Sequence, residues 1–168
     1  MDFFLDSGIF LGICDPEDNH NDACKKFLIK YPLHTNNYST AQMVKTELRR
    51  KRLEIIKKGY NQTVLRLIEQ CINTWFRLMK EMLKYEEEGY PNVVYIVEDI
   101  ERKTGYNRQD AIIVANSLVW SYEKDLDNPT LVTTDFKHLV RNAEKIIEQS
   151  ELRFSDVIPL KIKPVWGI

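Results

Sequence analysis

The sequence predicts an α/β fold, a three-layer α/β/α sandwich around a mostly parallel sheet. Three observations predict it. The short apolar runs DFFLD at residues 2–6 and TLVTT at 130–134 read as strands buried on both faces. Long segments with apolar residues at helical spacing separate them and supply the crossovers that parallel strands need. Each run also leads into an acid, Asp6 and Asp135, where such sheets collect ligands, outside the carboxyl ends of their strands.

In chain order, Ser7 is the expected N-cap of a first helix carrying Ile9, Phe10, Leu11 and Ile13, broken at Pro16. Ala23, Phe27 and Leu28 mark a second helix ending near Pro32, and residues 33–37 a brief strand. Thr40, Met43, Val44, Leu48, Leu53 and Ile56 trace a third helix closed by Gly59 and Asn61. From Val64 to Leu83 an apolar stripe predicts one long helix over 62–88. Residues 92–103 fit both periods and are read as a helix, since Val93, Val97 and Ile100 share a face. Asp110 opens a helix containing Ile113, Val114, Ser117, Leu118 and Trp120, and Asn128–Pro129 turns into strand 130–134. A last helix over 136–149 and a strand near 156–162 complete the expected order.

A chain of 168 residues suits one domain, spanning 1–168. With 24 Lys plus Arg against 25 Asp plus Glu, the net charge of -1 excludes a bulk positive field, so any nucleic-acid binding must come from local patches. Cys14, Cys24 and Cys71 lack a C-x-x-C spacing and are read as free buried thiols in a reducing cytosol. No apolar stretch approaches the ~20 residues of a membrane span. Asp2 directly follows Met1, which argues against a basic leader, and the expectation is a cytoplasmic protein.

Four acids occupy positions suited to convergence: Asp6 after the first strand, Glu47 inside the third helix, Asp110 at a helix start and Asp135 after a later strand. At about 4 Å separation each pair would repel by roughly 4 kcal/mol at an effective dielectric near 20. A cluster of that kind needs a cation, and all-oxygen ligands without His or Cys favour Mg²⁺ or Mn²⁺. Taken singly, each acid has a plainer role: Asp6 flanks a cap, Asp110 and Asp135 cap helices, and Glu47 stands on a solvated face. Their combination carries the metal reading. Ser7 and Thr133 are candidates for orienting the acids by hydrogen bonds. His20, His34 and His138 show no zinc-like spacing.

LDSGIF with Asp6 and Ser7, HNDA at His20–Ala23, QMVKTELRR with Glu47, RQDAIIVANSL with Asp110 and LVTTDF with Asp135 together resemble a PIN domain of the VapC-like ribonuclease kind. The resemblance implies the α/β/α fold, a metal-dependent endoribonuclease using Asp6, Glu47, Asp110 and Asp135, and membership of toxins neutralised by a small antitoxin. The chain departs from that pattern in two ways. Many PIN domains carry a further acid just beyond the position of Asp135, where Phe136, Lys137 and His138 stand here, with Asn142 as a polar substitute. The 62–88 segment also makes it longer than compact relatives.

The run Lys45–Arg52 places five cations within eight residues, so Arg49, Arg50 and Lys51, with Arg108 beside Asp110, are expected to hold RNA phosphates. Trp75, Phe76 and Met79 are read as core or as a homodimer interface. Two other functions compete. One is a PIN-fold RNA- or protein-binding module with little or no catalysis. The other is a phosphotransferase with a nucleophilic aspartate, whose D-x-D-x-[TV] signature Asp6–Phe10 lacks.

Overall fold

The computed structural model describes residues 1–90, 93–124, 126, 128–154 and 159–168, the side chains of 149, 152 and 153 excepted. Among them the strands β1 (Asp2–Leu5), β2 (Asn37–Ala41), β3 (Glu81–Leu83), β4 (Thr130–Thr133) and β5 (Lys161–Pro164) form one sheet of order β3-β2-β1-β4-β5. Every pairing is parallel. The helices are α1 (Ser7–Cys14), α2 (Asn21–Lys30), α3 (Gln42–Lys57), α4 (Gln62–Leu78), α5 (Val93–Thr104), α6 (Arg108–Glu123) and α7 (Ala143–Phe154). This is the expected three-layer α/β/α arrangement.

β1 is central, with Phe3, Phe4 and Leu5 fully buried. Alternate residues of a strand face opposite layers, and the rings follow: Phe3 meets Phe27 of α2 and Tyr31 just beyond it, whereas Phe4 meets Trp120 of α6. A strand covered on both sides has no polar face to show, which explains its unbroken apolar run. α6 is buried from Ala111 to Ser121, so its polar residues bond to helix carbonyls, Ser117 to Val114 and Ser121 to Leu118.

Several expectations need correction. The helix over 62–88 ends at Leu78; Lys80 then donates its N–H to the Tyr38 carbonyl and Glu81–Leu83 pair with Ser39–Ala41. The open edge of β2 offers unpaired backbone groups, and satisfying them outweighs continuing the helical stripe, which Met82 and Leu83 fit in either conformation. The brief strand lies at 37–41 rather than 33–37, and the last helix is split into a π-type turn at Phe136–Val140 and α7. Residues 155–158, including the start of the strand expected near 156–162, lie outside the described residues. Leu53 and Ile56, expected on the buried stripe of α3, are exposed.

The thiols also differ from expectation. Cys14 and Cys71 are joined as a disulfide between α1 and α4, with Cα atoms 5.6 Å apart, and only Cys24 is a free buried thiol. The two cysteines lie 57 positions apart in the sequence, so local spacing carries no sign of the bond; the packing of α4 on α1 brings them together.

Where α1 crosses α2, a Cβ on Gly12 would lie 2.4 Å from the Cys24 sulfur, and that thiol is fully buried. Gly12→Ala is therefore expected to cost about 1–3 kcal/mol in urea unfolding. Adding Cys24→Ala, which removes the obstructing atom, should recover most of it. Losses that simply add would contradict this contact.

Candidate active site

Asp6 shows why a buried strand can end on a carboxylate. Its backbone N–H extends the ladder to the Val132 carbonyl, while its side chain turns to cap α1, Oδ1 accepting from Ser7 N at 2.7 Å. The N-cap is thus Asp6 itself, and Ser7, expected in that role, is the first helical residue. Oδ2 accepts from the Thr133 hydroxyl at 2.8 Å, and the same hydroxyl accepts from Asp135 N at 2.9 Å. Thr133 thereby ties together the two acids at adjacent strand ends.

The other acids are fixed by equally local means. Asn107, not Asp110, caps α6; its Oδ1 accepts from Gln109 N and Asp110 N, and its amide donates to Asp110 Oδ2 at 2.7 Å. Asp135 caps the π-type turn, accepting from His138 N at 2.9 Å, with His138 Nδ1 3.0 Å from its other oxygen. Glu47 projects from the second turn of α3 and is buried at 9% exposure. One of its oxygens, Oε1, meets Lys51 Nζ at 2.6 Å; the other, Oε2, is buried with no hydrogen-bond partner.

Electrostatics join the four. Burial first, then the charges of Glu47 and Asp110, push the Asp6 carboxyl from an ordinary value near 3.8 up to about 6, against the Thr133 bond and the Lys51 charge. Burial, with Glu47 and Asp135 as like charges, likewise raises Asp110. Asp15 behaves differently. It is 1% exposed, yet Lys58 and Tyr60 bond its carboxylate at 2.7 and 2.6 Å and hold it below the usual range. For Asp6 and Asp110, the Thr133 and Asn107 bonds and the Lys51 charge do not outweigh burial and like charge, a pattern typical of sites rather than of structural ion pairs.

For a hard divalent ion, the donor chemistry fits: carboxylate oxygens in mutual repulsion, one of them buried and unpartnered. Spacing is a separate matter. Among the described residues no group of three His, Cys, Asp or Glu side chains is placed to hold one ion. Asn142, the polar substitute for the further acid, donates its amide to the His138 carbonyl at 2.7 Å.

The expected phosphate contacts divide. Arg49 and Arg50 are exposed on α3, and Arg49 lines, with Lys45 and Arg52, a groove of 210 Å³ against α4 that none of the four acids lines. Arg108 pairs with Glu101 at 3.2 Å. Lys51 turns inward, reaching Ser7 Oγ at 3.1 Å as well as Glu47. Three roles were not read from the sequence: Lys51 inside the acid pocket, Asn107 as the cap that positions Asp110, and His138 on Asp135. The i,i+4 spacing of Glu47 and Lys51 was a signal for the first. The second was visible as an Asn three residues before Asp110.

The fold is the α/β/α arrangement anticipated from the sequence landmarks. No protein-family profile matches the chain, and no curated protein sequence matches it. Two solved structures share the fold over nearly the full length. One is VapBC2 from Rickettsia felis bound to a DNA fragment from their promoter, with TM-score 0.54 and 11% identity over 98% of each chain. The other is FitAB bound to an IR36 DNA fragment, with TM-score 0.57 and 13% identity over 99% of this chain and 96% of that one. At these identities the likeness is one of fold. Among the described residues no helix is long and apolar enough to cross a membrane.

The raised Asp6 pKa fixes a sign for stability without metal. The folded protein holds that proton more tightly than the unfolded chain, so the associated stability is complete below pH ~4 and is lost as pH rises through about 6. Its size is on the order of 3 kcal/mol. Asp6→Asn cannot ionise, so in chelator its melting temperature should fall less than wild type's between pH 4 and 7; parallel profiles would contradict the assignment.

Proposed function

We propose that the chain is a divalent-metal-dependent endoribonuclease that hydrolyses RNA phosphodiester bonds, acting as the toxin of a toxin–antitoxin pair. The observation that carries the reading is the coupling of Asp6, Glu47, Asp110 and Asp135 at one end of the sheet, with Glu47 Oε2 buried and unpartnered. Bound Mg²⁺ or Mn²⁺ would supply an activated water and offset charge developing on the phosphate. Asp6 and Asp110 are the principal ligands, with Glu47 and Asp135 binding directly or through water. Ser7 N–H and Thr133 orient Asp6, as Asn107 orients Asp110. These bonds keep the acids from collapsing onto other donors.

Arg49 and Arg50, exposed on α3 within a turn of Glu47, hold the RNA backbone with sequence-independent, salt-sensitive contacts, and Arg108 extends them near Asp110. The shared fold with VapBC2 and FitAB, which are toxin–antitoxin complexes, supports a small antitoxin as partner. Exposed Leu67 and Leu78 on α4 support self-association as a homodimer. A second reading, a PIN-fold RNA- or protein-binding module without catalysis, is favoured by the absence of a three-acid ion site among the described residues.

Cleavage of structured and unstructured RNA separates the two. Wild type is expected to cleave with Mg²⁺ or Mn²⁺ and not with chelator. Asp6→Asn should retain its circular dichroism spectrum while losing roughly 100-fold or more in rate. Wild-type rates from rigorously purified Asp6→Asn would sink the nuclease reading, and no cleavage by wild type under any ion would favour the binding module.

A further inference from the structure

The acid pocket already contains a cation, and it belongs to the chain. Lys51 stands one helical turn beyond Glu47, on the same face of α3. Its ammonium lies 2.6 Å from Glu47 Oε1 and 3.1 Å from Ser7 Oγ, and its charge also acts on Asp6 and Asp110. It therefore bridges α3 to the start of α1, at the residue whose N–H holds Asp6. The second Glu47 oxygen remains buried without a partner, so the ammonium satisfies only part of what the pocket lacks. The other cations of this stretch behave differently: Arg49 and Arg50 are exposed, and Arg52 pairs with Glu69 at 2.6 Å.

An ion bound to a carboxylate oxygen at about 2.1 Å and an ammonium hydrogen-bonded to the same carboxylate would stand within roughly 4 Å of each other. Two cations so placed repel strongly, so one excludes the other. Lys51 has a way out. Its side chain is 32% exposed, on a flexible four-carbon stem that reaches water without disturbing α3.

We propose that Lys51 is an intramolecular competitor for the metal position: its ammonium neutralises Asp6, Glu47 and Asp110 in the ion-free protein, and ion binding requires it to swing out into solvent. This rests on the metal reading above. In the ion-free protein the acids face the ammonium, and no three His, Cys, Asp or Glu side chains among the described residues are placed to hold one ion. The measured ion affinity is then the intrinsic affinity reduced by the fraction of molecules with Lys51 out. Removing the ammonium removes that reduction.

The test is Mn²⁺ binding, followed by loss of the free-ion electron paramagnetic resonance signal, for wild type, Lys51→Met and Lys57→Met. Lys57 is exposed at the end of α3 and controls for the change in net charge. Lys51→Met is expected to bind Mn²⁺ at least about tenfold more tightly than wild type, with Lys57→Met unchanged. Equal or weaker binding by Lys51→Met, where wild type binds, would overturn the inference and leave the metal reading standing; so would an equal gain from Lys57→Met. No binding by any of the three would overturn both. Amine labelling of the wild-type protein needs no variant to fold. Lys51 should be acetylated slowly in chelator and several-fold faster in Mn²⁺, and a rate indifferent to an ion that binds would overturn the inference.

Discussion

Like charges gathered at one end of a parallel sheet impose the constraint on which the rest of this molecule turns. Burial and the charge of Glu47 on α3 raise the proton affinity of Asp6 at the end of β1 and of Asp110 on α6, the latter also through the charge of Asp135 in the turn after β4. Such a grouping persists only if it is held by fixed donors and answered by positive charge. Both are present. Backbone N–H groups, Thr133 and Asn107 hold the acids, and Lys51 answers them.

The architecture makes this placement inexpensive. Asp6, Asp110 and Asp135 all sit at helix starts, where unpaired N–H groups and the helix dipole favour negative charge. β1 and β4 are adjacent and in register, so their last residues emerge side by side and a single hydroxyl, Thr133, serves both Asp6 and Asp135. The apolar bulk that keeps this geometry rigid lies just behind it, in Phe3, Phe4 and Leu5 and the buried length of α6. A polar site and an apolar core are thus successive residues of the same strands.

Much of this was legible in the sequence, because a doubly buried strand can announce itself only by an unbroken apolar run and its end only by the first polar residue. DFFLD and TLVTTD read correctly for that reason, and so did the helix after Asp110. What escaped depends on partners distant in sequence. The helical stripe after Val64 continues through Met82 and Leu83, and only the unpaired edge of β2 turns those residues into a strand. Cys14 and Cys71 meet through the packing of α4 on α1. The basic run after Glu47 reads as one solvated patch, yet helix geometry sends Lys51 inward and leaves Arg49 and Arg50 outside. Charge composition cannot distinguish these; position on the helix can.

The most direct test of the central claim is a crystal structure of the protein grown with Mn²⁺, with anomalous scattering recorded at the manganese edge. The account predicts an anomalous peak within bonding distance of Asp6 and Asp110 carboxylate oxygens, with the Lys51 ammonium displaced from Glu47. A fully occupied Lys51–Glu47 pair with no peak in the pocket at saturating Mn²⁺ would contradict it.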